Sequence, residues 1–120
     1  MPHIFIDYSA NLDGDLDVSS LANAVHDAAV SCGLFPTSGV RTRVMRQETY
    51  VIADKKPENA FVHVIARIGI GRAEDAKKIA GDQFFSAISN VLDPIANKRP
   101  LAFAFEFVEV NTWKKNSIIC

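Results

Sequence analysis

Pro2 follows the initial methionine, and Arg41, Arg43, Arg67 and Arg72 lie on or beside apolar, strand-like segments. A proline nitrogen with nothing attached upstream is a secondary amine and a base, and a guanidinium is a permanent cation that can hold a carboxylate through two parallel hydrogen bonds. A base beside fixed cations suits the movement of a proton on an acidic molecule. A second-position proline means little by itself. Here it gains weight because it opens a strand of the buried kind and because the arginines cluster on particular strand faces. Arg41 and Arg43 are two apart, so their side chains leave one strand on the same face. Arg67 shares a face with His63, and Arg72 follows Gly71 at the start of a helix.

Arg72 is oddly placed, because a cation at a helix N-terminus opposes the macrodipole whereas Glu74 and Asp75 suit it. Either Arg72 and free backbone N–H groups receive an anion together, or Arg72 is a solvated side chain paired with Glu74 or Asp75. Gly69-Ile70-Gly71 lacks the remainder of a nucleotide fingerprint and reads as a tight strand-to-helix turn. His3, His26 and His63 have no metal-ligand spacing and read as structural. Asp7 and Glu106 lie within strands, where pairing with Arg or Lys across the sheet is favoured over a secondary acid/base role. No serine has a nucleophile-elbow context, which disfavours acyl transfer.

The elements that must position these groups follow from periodicity. Pro2 to Tyr8 alternates, with Ile4, Ile6 and Tyr8 opposite His3, Phe5 and Asp7, so Pro2 starts or edges a strand where its missing N–H costs nothing. Asp15 or Asp17 can cap a helix carrying Val18, Leu21, Ala22, Val25, Ala29 and Cys32, with Gly33 as its stop. Val40 to Ala53 reads as an extended strand or hairpin arm, and Asp54 to Asn59 as a loop. A strand over Phe61 to Ile70, a helix from about Ala73 to Ala96 and a strand over Leu101 to Val110 repeat the pattern. The helix stripe is Ala76, Ile79, Ala80, Phe84, Ile88, Val91, Leu92 and Ile95, and Pro94 is expected to bend or end it early. Two strand-helix-strand units imply an α/β sandwich, a mixed four-stranded sheet with both helices on one face. The sequence reads as one domain over residues 1–120 with repeats of about 1–55 and 56–120. The strands are apolar on both faces, so the uncovered face is expected to close against neighbouring subunits.

With 120 residues and a net charge of -1, the chain has the size of one domain and no global field for nucleic acid or a membrane surface. Cys32 and Cys120 read as reduced thiols of a cytosolic protein. The first residues lack the features of a signal peptide, so the mature chain is expected to start at or just after Met1.

Four ordered blocks carry a resemblance that covers nearly the whole chain: Met1-Pro2-His3; Gly33 to Pro36 with Gly39 to Val44; Ala60 to Val64 with Ile68 to Arg72; and Leu101 to Glu106. Together they resemble the 5-carboxymethyl-2-hydroxymuconate isomerases of the tautomerase superfamily. The resemblance implies a homotrimer of duplicated β-α-β units acting in homoprotocatechuate breakdown without a cofactor or metal. It also implies that the amino-terminal proline, Pro2 here, shuttles a proton between oxygen and carbon of a small acidic enol. Arg41 falls on that family's active-site arginine, while Arg43 and Arg72 match arginines of its motifs and become candidate substrate-binding residues. The chain departs from the pattern at Met45 to Glu58 and Asn111 to Cys120, which leaves the substrate open.

The chemistry agrees with this assignment. Partial desolvation and nearby guanidinium groups would disfavour the protonated amine, making it a usable base near neutral pH. Arginine would bind the substrate carboxylate and stabilise a dienolate. If Met1 stays attached, the Pro2 nitrogen is an amide without a basic lone pair. Two other readings keep the fold: a tautomerase acting on another enol acid, and a trimeric ligand-binding protein without turnover.

Overall fold

Residues 2–115 are described by the computed structural model; Met1 and Cys120, on which two of the expectations above bear, lie outside the described residues. The alternation at the N-terminus forms strand β1 (His3–Ser9), in which Ile4, Ile6 and Tyr8 are buried and His3, Phe5 and Asp7 half-buried. A short 3-10 turn, Ala10–Leu12, leads to helix α1 (Val18–Ser31). Of the two candidate caps, Asp17 is the one that closes the helix start, its side chain accepting from the Ser20 N–H at 3.2 Å. Gly33 follows with φ of 81°, a left-handed backbone that a glycine adopts without strain.

Strand β2 (Arg41–Gln47) is shorter than the expected Val40 to Ala53. Beyond Gln47 no strand among the described residues pairs with this segment, Val51 is 75% exposed, and Ala53 and Lys55 take positive φ values of 49° and 71°. Asn11 organises this loop instead, donating through Nδ2 to the carbonyls of Asn59 (2.6 Å) and Pro57 (3.1 Å). Strand β3 (Ala60–Gly69), helix α2 (Glu74–Ala96) and strand β4 (Leu101–Val110) follow. Pro94 neither bends α2 to a stop nor shortens it. It lies in the last turn, where little of the hydrogen-bond ladder remains to be lost, and buried Ile95 anchors the end. Ile79, expected in the buried stripe, is 61% exposed, whereas Ala80, Phe84, Ile88, Leu92 and Ile95 are buried.

The sheet order is β2-β1-β3-β4, with β1/β2 and β3/β4 parallel and the central β1/β3 pair antiparallel. Both helices pack on the face bearing Ile4, Ile6, Val62, Val64, Ala66 and Ile68, as the repeated strand-helix-strand pattern requires. The register is symmetric about the Phe5/Ile65 pair: His3 lies opposite Arg67, and Asp7 opposite His63. A two-fold axis taken through that pair, the one that superposes His3 on His63, relates the strands of the two β-α-β units.

Phe84 is the centre of the second unit. It is fully buried, stacks on Phe105 with centroids 4.6 Å apart and meets Phe107 edge-on at 5.9 Å. Phe84→Ala should cost about 3–5 kcal/mol, through lost burial and an unfilled cavity. Urea denaturation would read this as a lower midpoint at unchanged slope; an unshifted midpoint would remove Phe84 from the core that holds β4.

Candidate active site at the start of the first strand

Pro2 is fully buried at the head of β1, and its carbonyl accepts from the Arg41 N–H at 3.1 Å. The parallel pairing with β2 sets His3 beside Arg41 and Phe5 beside Arg43, so both arginines stand on the sheet face away from the helices, as their spacing requires. Arg41 turns toward the 3-10 turn Thr37–Gly39 and donates from Nη1 to the carbonyls of Ser38 (2.6 Å) and Val40 (3.4 Å). Its Nε and Nη2 groups carry no acceptor among the described residues.

Arg43 lies over the Phe5 ring, 4.4 Å from the centroid, and donates from Nη2 to Nδ1 of His3 at 2.9 Å. A guanidinium has no lone pair to offer, so Nδ1 is the acceptor and the imidazole carries its proton on Nε2. Burial, then the Arg43 charge, holds the His3 pKa below its ordinary value, with Arg41 and Arg67 acting in the same sense. His3 is thus a neutral ring beside three cations.

Arg72 joins the same end of the molecule from another direction. Its Nε donates to the Leu34 carbonyl (3.3 Å) and its Nη1 to the Gly69 carbonyl (3.0 Å), while its Cζ lies over the Phe35 ring, 4.9 Å from the centroid. It ties the end of β3 to the segment entering β2, with the intervening turn made by Gly71 at φ of 104°. Arg72 is not paired with Glu74 or Asp75; Glu74 instead meets Lys77 at 2.6 Å, and the Asp75 carboxylate accepts from the Ala76 N–H at 2.9 Å.

Pro2, Arg41, Arg43 and Arg72 thus lie toward the same end of the sheet, and among the described residues none of these arginines has a carboxylate partner. Arg46 and Arg99, in contrast, pair with Asp13 (2.7 Å) and Asp15 (3.0 Å) at the opposite end of β1. The expected pairing of Asp7 and Glu106 with Arg or Lys is overturned. Asp7 accepts from Gln47 Nε2 at 2.9 Å, and Glu106 lies 3.5 Å from His63 Nε2 rather than turning to Arg67, its diagonal neighbour on β3. His26 contacts Thr42 Oγ1 at 2.9 Å, and Cys32 directs its thiol to the Ala29 carbonyl. Among the described residues no group of His, Cys, Asp and Glu side chains could hold a metal ion, and no helix is long and apolar enough to cross a membrane. His3, which sequence reasoning reads as structural, lies among these arginines; its position directly after Pro2 is the sequence signal that draws attention to it.

The family model described as 5-carboxymethyl-2-hydroxymuconate isomerase matches residues 2–119. A 5-carboxymethyl-2-hydroxymuconate Delta-isomerase of Escherichia coli is 31% identical, covering 98% of this chain and 96% of its own. A crystal structure of a 5-carboxymethyl-2-hydroxymuconate isomerase from Deinococcus radiodurans R1 is 32% identical with a TM-score of 0.88, covering 97% of this chain and 90% of its own. A fused 4-OT described as a symmetric trimer shares the fold at 19% identity and a TM-score of 0.61, covering 89% of this chain and 85% of its own.

Proposed function

The chain belongs to the 5-carboxymethyl-2-hydroxymuconate isomerase family, and from that premise we propose that it moves a proton on a 2-hydroxymuconate-type acidic dienol with Pro2 as the base. The observation that supports this most is that a buried Pro2 opens β1 at the end of the sheet where Arg41, Arg43 and Arg72 lack carboxylate partners among the described residues. Unmatched cations at the end of the sheet where loss of Met1 would free the Pro2 amine favour an anionic substrate and disfavour a second positive charge on that amine. In the reaction, the Pro2 nitrogen accepts the proton of the substrate's hydroxyl group. The electrons of that O–H bond pass into the conjugated system as a dienolate, and the same proton is returned to carbon, leaving a carbonyl. No net proton is gained or lost, and no cofactor is called for.

Arg41 is placed to hold a carboxylate through Nε and Nη2 while its Nη1 is fixed by two backbone carbonyls. Fixing one edge of the guanidinium orients the other, so its charge needs little rearrangement as negative charge grows on the substrate oxygen. Arg43 and Arg72 are supporting substrate-binding residues, each already oriented by an aromatic ring. The test is isomerisation of 5-carboxymethyl-2-hydroxymuconate by protein lacking Met1, followed by ultraviolet absorbance beside a phenylpyruvate-type enol. Rapid conversion of the first is expected; selective conversion of the second would reassign the substrate.

The same reading takes the chain as one domain of two repeats working as a homotrimer. The sheet face away from the helices is uncovered in the single chain and carries Phe5, Met45, Phe61, Ile65, Ala102, Ala104 and Val108 among its polar groups. Apolar surface of this kind is suited to burial between copies, and the fused 4-OT described as a symmetric trimer supports that number. Light scattering should give three times the mass of the chain, whereas a monomer at micromolar concentration would overturn the assembly.

A further inference from the structure

We propose that Arg67 and the Nε2–H of His3 form a second carboxylate subsite, across β1 from Arg41, that selects substrates carrying two carboxylates. The inference rests on the function proposed above and adds to it the residues that receive the substrate's far end. Arg41, His3 and Arg67 stand side by side on β2, β1 and β3 and point from the same face. Adjacent strands are about 4.8 Å apart, so the two arginines rise from backbones about 10 Å apart with the imidazole between them. A linear six-carbon diacid can lie across such a row with one carboxylate at each guanidinium.

Arg67 is exposed and has neither hydrogen bond nor ion pair among the described residues. Its diagonal neighbour on β4, Glu106, would be the obvious partner, but that carboxylate turns to His63. Arg43 is equally informative. By donating to Nδ1 it fixes His3 as a donor through Nε2, directed away from Arg43. The row thus offers hydrogen-bond donors only, and like charges this close repel unless an anion joins them.

The two-fold relation between the halves sharpens the point. The residues equivalent to His3, Arg41, Arg43 and Arg67 are His63, Ala104, Glu106 and Asp7. Each histidine contacts the equivalent neighbour, Arg43 in one half and Glu106 in the other, but the sign of the charge is reversed. Only the end next to Pro2 is built to receive an anion. The row lies at the margin of the uncovered face, so a neighbouring subunit packed on its apolar centre would wall this site.

Binding of trans,trans-muconate and of sorbate, a diacid and a monoacid on the same six-carbon diene, tests the subsite by calorimetry without any turnover. Muconate should bind at least about tenfold more tightly, the scale of one charge-assisted hydrogen bond. Arg67→Gln, at an exposed position that the fold does not need, should abolish that preference, Arg67→Lys should restore part of it, and sorbate affinity should stay unchanged. Equal affinity for the two acids, undetectable muconate binding, or an equal loss for both acids in Arg67→Gln would overturn the subsite. Because binding needs no basic nitrogen, Pro2→Ala protein should keep the preference, so failure of the proline mechanism and failure of the subsite give different results.

Discussion

Protein that retains Met1 should isomerise a 2-hydroxymuconate-type acid about a hundredfold to ten-thousandfold more slowly than processed protein, the range that a positioned general base contributes. The cause is covalent: with Met1 attached, the Pro2 nitrogen is an amide whose lone pair is delocalised into a carbonyl, and no rearrangement of the pocket makes it basic. Pro2→Ala behaves differently, because processing leaves a primary amine in the same place; activity should drop but persist. The rate of the processed enzyme should also fall as pH drops through the amine's titration, since the protonated form has no lone pair to accept the substrate proton. Comparing steady-state rates of the processed enzyme with a variant forced to keep Met1 decides the matter. Equal turnover by both would end the proline mechanism while leaving the fold untouched.

Arg41→Ala should lower kcat/KM by about a hundredfold to a thousandfold, the usual cost of removing one preorganised group from a developing oxyanion. The way the loss divides carries the information. If Arg41 holds a carboxylate equally in ground and transition states, KM rises and kcat stays; if it faces the dienolate oxygen, kcat falls as well. Arg41→Lys keeps the charge but cannot keep both backbone contacts and a two-point grip on substrate, so it should recover only part of the loss. Wild-type kinetics in Arg41→Ala would remove this residue from the site.

The parts of the fold legible in the sequence are those in which a period of two or of 3.6 residues runs against a clear stop. Strand β1, helix α1 with an aspartate cap narrowed to Asp15 or Asp17 and its Gly33 stop, and strand β4 are of this kind. Where partners far away in sequence decide, local pattern fails. Thr49, Tyr50 and Val51 have the β-branched or aromatic character of a strand yet form none, because no strand among the described residues lies beside them and Asn11 draws the loop elsewhere. Arg99 gives no sequence signal at all. It gathers Asn11, Asp15 and Glu58, all distant from it along the chain, around one guanidinium. In the candidate site, the shared face of Arg41 and Arg43 follows from a spacing of two. The acceptor role of His3 Nδ1 does not, since it depends on how Arg43 leans over Phe5.

The two-fold relation has a consequence for stoichiometry. It carries Pro2 onto Val62, a buried residue inside β3 whose nitrogen is an ordinary peptide amide. Val62 is held in a peptide bond, so under the proposed proline mechanism reacting centres number one per chain, however many copies assemble. An amine-directed covalent inhibitor aimed at that centre should saturate at a single equivalent per chain. Under that mechanism the equivalent end of the second unit receives no anion, which is consistent with its carrying Asp7 and Glu106.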